Sequence, residues 1–138
     1  MLDYIVDDVP SFLRAVVTRT PTGSIVELDG RLEAASMHPY ELPRTGPSNQ
    51  RYAITDESRA ACAAALAGIE RPRFDVFGLA VHAPTGTYFE APHFFDSAHA
   101  PVIFVHEGFP PDVLDDLVAR GIIHVDPIEL SSTPGTPG

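Results

Sequence analysis

The chain has 138 residues, 44% of them hydrophobic and 20% charged, with a formal net charge of −10 and a single cysteine. That length suits one domain with a core of its own, and the charge opposes nucleic acid and anionic membrane surfaces. One cysteine, Cys62, excludes an internal disulfide and fits a reducing cytoplasm, and no apolar run approaches the length of a membrane span.

The opening MLDYIVDDVPSF carries Asp3, Asp7 and Asp8 and lacks the apolar centre of a signal peptide. Residues 8–19 place Val9, Phe12, Leu13, Val16 and Val17 at helical spacing, with Asp8 or Ser11 as the cap and Pro10 in the first turn. A Thr-Pro-Thr-Gly turn follows. Then SIVELDG alternates Ile25, Glu27 and Asp29 with Val26 and Leu28, the pattern of a half-buried strand ending at Gly30.

Residues 34–50 are rich in Pro, Ser and Gly and have no period, so they read as a long loop. Residues 51–55 form a short strand. Thr55 then caps a helix that carries Asp56 and Glu57 in its first turn and stops at Gly68. Cys62, Leu66 and Ile69 share a stripe among many alanines, so the helix is thin enough to sit close to a sheet, with Cys62 as a small packing residue. Arg71 and Arg73 flank Pro72 in a linker, where they could hold an anion but read as solvated.

Residues 74–91 read as a β-hairpin broken at Ala-Pro-Thr-Gly. Its second strand echoes the first one in the chain: PTGSIVEL at 21–28 and PTGTYFEA at 84–91. The echo is the same Pro-Thr-Gly turn feeding a strand twice. Strand 102–106, a proline-opened helix from Pro111 to Arg120 and strand 122–125 come next. They suit a βαβ unit with two parallel strands, or a last strand that pairs elsewhere. Residues 131–138, SSTPGTPG, read as a disordered tail after a single domain over 1–130. The expected fold is α+β: one mixed sheet of about four to six strands with about three packed helices.

Charge is unevenly placed. Residues 1–73 hold eight Arg and ten acids, whereas residues 74–138 hold only Arg120 against nine acids. All nine basic residues are arginine, a usage that fits a GC-rich bacterial genome. In the 111–120 helix, Val113, Leu114, Leu117 and Val118 form the apolar stripe, and Asp112, Asp115 and Asp116 line the other face. Aspartate is a poor interior helix former, so three of them there read as a solvated face or as a docking face for a basic partner. Glu90, Asp96 and Glu107 form a second acidic set.

The stretch EAPHFFDSAHAPVIFVHEG, residues 90–108, concentrates histidines and carboxylates. Pro92 can open a short helix on which Asp96 shares a face with His93 or His99. His93, His99 and His106, with Glu or Asp, are the candidate ligands of a small metal-dependent enzyme, and His82, His106 and His124 are a second set that could meet across strands. No recognised metal spacing, nucleophile elbow or phosphate loop is present. In the structural alternative, His93, Phe94 and Phe95 bury an apolar edge while Asp96 and His99 bond nearby backbone. Glu90 and Glu107 are an acid–base pair only if they meet across the sheet.

The order helix, strand ending in Asp-Gly, loop, helix and hairpin, then HFFDSAHAPVIFV at 93–105 and P-x-V-L-x-x-L at 111–117, resembles small acidic bacterial proteins of the immunity type, which neutralise toxins. The resemblance covers most of residues 8–125. It implies a non-catalytic, cofactor-free, cytoplasmic binder, monomer or homodimer, that covers a basic toxin domain. A metal-dependent enzyme and a homodimeric adaptor joined through a sheet edge are the alternatives.

Overall fold

The structure is a computed structural model that describes residues 3–44, 46 and 49–127. Eight strands form one sheet: β1 (Asp3–Val6), β2 (Ile25–Gly30), β3 (Glu41–Leu42), β4 (Asn49–Ala53), β5 (Val76–Ala83), β6 (Gly86–Ala91), β7 (Val102–Val105) and β8 (Ile123–Val125). Their order across the sheet is β3-β4-β2-β5-β6-β7-β1-β8. Three α-helices, α1 (Val9–Thr18), α2 (Ser58–Ala67) and α3 (Pro111–Ala119), complete an α+β fold.

Among the described residues every strand pairing is antiparallel, so the expected mixed sheet is corrected. The reason lies at the start of the chain. β1 pairs with β7 on one side and β8 on the other. β7 and β8 therefore run in the same direction on either side of α3, as a βαβ unit requires, but β1 separates them and they never pair. Only the 4-residue length of β1 hides it in the sequence, because Tyr4 and Val6 are too few to announce a period.

All three helices lie on one face of the sheet. Alternation decides which side chains meet them. Tyr4 and Val6, Val26 and Leu28, Tyr52, Val81, Phe89 and Ile103 point into the core with Phe12, Leu13, Val16 and Val17 of α1 and Leu117 of α3. Phe12 packs edge-on against Phe89, with ring centroids 5.4 Å apart, and Phe94 against Phe95 at 4.9 Å. The opposite face of the sheet carries no helix.

Local signals explain the elements. Asp8 caps α1 by accepting from the Ser11 backbone N–H (3.2 Å) and hydroxyl (2.7 Å). Thr55 and Ser58 cap α2 reciprocally, each hydroxyl accepting the other's backbone N–H at 3.0 and 2.8 Å. The alanine-rich α2 packs closely on α1. The 92–99 segment is a series of turns and not a helix. Its backbone carbonyls are held from outside: Arg71 donates to the carbonyls of Phe94, Ser97 and His99 at 2.8, 2.9 and 2.7 Å. Arg71 is thus a structural clamp, while Arg73 pairs with Asp75.

The 34–50 stretch is not the patternless loop its composition predicts. A 3-10 turn at His38–Tyr40, the short β3 and the start of β4 lie within it. Met37 is fully buried, and the Gln50 side chain bonds both the N–H and the C=O of Leu32. The predicted tail, 131–138, lies outside the described residues. Among the described residues no helix is long and apolar enough to cross a membrane.

Candidate interaction face

The uncovered sheet face follows from the pairing register. Residues opposite one another run across the strands in a row: Leu42, Arg51, Glu27, Ala80, Glu90, Phe104 and Asp3. Glu27 on β2 and Glu90 on β6 thus flank Ala80 on β5. Neighbouring strands lie about 4.8 Å apart, so the two glutamates leave the sheet about 9–10 Å from each other. Gly78, one step along the same face of β5, lies opposite Asp29. A groove of about 270 Å³ lies over this floor, bounded by Glu27, Asp29, Asn49, Glu90 and Pro92.

The Pro-Thr-Gly echo has a structural meaning here. β2 and β6 both pair with β5 and run in the same direction, so residues 26–28 and 89–91 take matching places. Val26 and Phe89 both oppose Val81 and enter the core. Glu27 and Glu90 both oppose Ala80 and face outward. Gly23 and Gly86 both adopt positive φ, 96° and 148°, which allows each turn to deliver its strand.

Hydrogen bonds fix the groove's first wall. Glu27 Oε1 lies 3.2 Å from His82 Nε2, and its Oε2 accepts from Asn49 Nδ2 at 3.0 Å. His82 Nδ1 is in turn 2.9 Å from Thr87 Oγ1. On the other wall, Glu90 Oε2 lies 3.3 Å from His106 Nε2 and the rest of the carboxylate is open to solvent. Phe104 is 38% exposed beside it, an uncommon outward position for phenylalanine.

The acidic residues expected to act together are dispersed. Asp112 and Asp115 are exposed on α3, in the helical layer. Asp116 is engaged within the protein: Arg19 of α1 reaches it at 2.8 Å and Arg120 at 3.4 Å. The Arg19 hydrogen bond holds the Asp116 carboxyl below the usual range. Glu90 sits on the open sheet face, Asp96 pairs with His93 at 3.2 Å in the turns after β6, and Glu107 projects from the turn after β7. Glu90 meets His106 and not Glu107. The expected stripe of α3 is narrower than its spacing suggests, since Val113 and Leu117 are buried but Val118 is 44% exposed.

The histidines are dispersed too. His93 is exposed rather than packed on the apolar edge that Phe94 and Phe95 form. His99 precedes β7 and His106 follows it. His82, His106 and His124 belong to β5, the end of β7 and β8, which are not neighbours in the sheet. His124 instead bonds Asp7 at 2.7 Å. Among the described residues, no three His, Cys, Asp or Glu side chains converge as a metal requires.

Sequence reading passed over Glu27 and Asp29, which looked like the polar side of an ordinary strand. The signal that finds Glu27 is the echo, because it aligns Glu27 with Glu90. Cys62 is buried in the helical layer, and burial pushes its thiol up, away from the reactive thiolate. No family model, no curated protein and no solved structure matches this chain.

Proposed function

We propose that this protein is a non-catalytic binding module of the immunity type, acting in the cytoplasm, whose acidic surface covers a basic toxin domain. One observation carries the reading. Among the described residues, an eight-stranded sheet has helices on one face only, and its other face presents Asp3, Glu27, Asp29 and Glu90 against a single cation, Arg51. A broad, pre-formed surface of one charge steers a partner of opposite charge and excludes others from it. Among the described residues, three of the four hydrogen-bonded histidine–carboxylate pairs join two side chains only, while Glu27–His82 also takes in Asn49 and the Thr87 hydroxyl, which fixes the Glu27 carboxylate on the open face.

The action is occlusion. Carboxylates guide the encounter, and exposed apolar groups such as Phe104 supply the residence time. Native mass spectrometry of the protein purified from the cells that make it is the test. The expected species is a stoichiometric complex with one basic polypeptide. A bare chain that retains a transition metal overturns the reading and restores the enzyme alternative.

A further inference from the structure

Building on the binding function proposed above, we propose that the partner contact is the open sheet face rather than α3. An arginine side chain of the partner lies over Ala80, between Glu27 on one side and Glu90 on the other, with Asp29 at the end of the slot. An apolar neighbour of that arginine rests on Phe104.

The floor of the groove is made of the two smallest residues; Asp29 and the Pro92 carbonyl close over Gly78, so its open part lies over Ala80. A β-carbon on Gly78 would come 3.0 Å from the Asp29 β-carbon and 3.2 Å from the Pro92 carbonyl oxygen. Ala80 has only its methyl group. The walls rise on both sides because β2 and β6 flank β5 and the echo puts a glutamate at the same height on each. The slot is therefore about one planar side chain wide.

A guanidinium fits this arrangement better than an ammonium. It is flat, it carries donors along both edges, and it keeps its charge when partly desolvated. Glu27 is fixed by His82 and Asn49, so one wall is already rigid and costs little to order on binding. Glu90 keeps oxygen capacity beyond its single contact with His106. Phe104 lies directly opposite Glu90 on β7, so an apolar side chain next to the arginine reaches it without leaving the row. The α3 surface offers less: Asp116 is already neutralised by Arg19 and Arg120, and neither Asp112 nor Asp115 lines the cavity that reaches α3 at Leu114.

The probe is the blocked peptide acetyl-Arg-Gly-Leu-amide, with its Lys counterpart, titrated into the isotope-labelled full chain and followed by amide NMR. The expected result is saturable shifts at Gly78, Ala80, Glu90 and Phe104, weaker by several-fold for the lysine peptide. Ala80→Arg, which lays a resident guanidinium in the slot, and Glu90→Gln should each weaken binding about fivefold or more. Because Glu90 is exposed, Glu90→Gln keeps the test open if Ala80→Arg fails to fold. Shifts centred on Asp112 and Asp115 overturn the groove and leave the binding function standing. Absence of saturable shifts, or equal binding by Glu90→Gln, also overturns it. A chain isolated from its own cells without any polypeptide partner overturns the underlying function instead.

Discussion

Single side chains settle several points that composition leaves open. Gln50 is 3% exposed, and its amide occupies both backbone groups of Leu32. Gln50→Ala strands those groups in the interior. The expected loss is about 2–4 kcal/mol of unfolding free energy, measured by urea denaturation. Tyr52 is buried beside Glu41, and burial first, then that negative charge, pushes its phenol from 10.0 up to about 12. A folded-state pKa above the unfolded value gives stability that is complete below pH 10 and is lost as pH rises towards 12. The melting temperature should therefore fall across that alkaline window, and Tyr52→Phe should flatten its share of the fall. Cys62 should react with a disulfide reagent at pH 8 only as fast as the chain opens, so urea below the transition should accelerate labelling.

At the scale of elements, caps and clamps do more than propensity. Asp8 holds two Ser11 groups at the start of α1, and Asp8→Ala should cost about 1 kcal/mol without changing the fold. The 92–99 turns rely on Arg71 from a distant part of the chain. Arg71→Ala should leave β5 and β6 intact but raise amide exchange over residues 93–100, whose carbonyls lose their common donor. Helical spacing was a reliable guide for α1, α2 and α3, because each buries residues three or four positions apart along one side. Spacing failed at 92–99. There Pro92 and the Phe94–Phe95 pair satisfy an aromatic core, and the backbone needs a side chain 23 or more residues away to be satisfied.

For the whole molecule, the one-sided helical layer is the decisive feature. It separates the acidic residues into a sheet face and a helix face that no single flat partner can touch together. With a basic partner in hand, association should slow by about tenfold or more between 50 mM and 500 mM salt, while dissociation changes much less. A salt-independent association rate would remove steering from the mechanism. The edges of the sheet are β3 and β8, of two and three residues, which offer little backbone for pairing with a second sheet.

Local sequence by itself determined the three helices, the β5–β6 hairpin, the strand ending at Asp29–Gly30 and the α+β class. Each rests on short-range periodicity, caps and turns that act within about ten residues. The tertiary structure alone decided that β1 enters between β7 and β8, because strand pairing links residues about 100 positions apart and leaves no local trace. It also decided that the 34–50 stretch is anchored, through Met37 and Gln50 reaching into the interior. The candidate site divides in the same way. Glu90 and the α3 aspartates were visible as charges in sequence, but only the register across β2, β5 and β6 brings Glu27 and Glu90 to either side of Ala80 and sets the histidines apart. Charge can be counted along a chain. Which charges share a surface is fixed by pairing between strands that the chain itself keeps far apart.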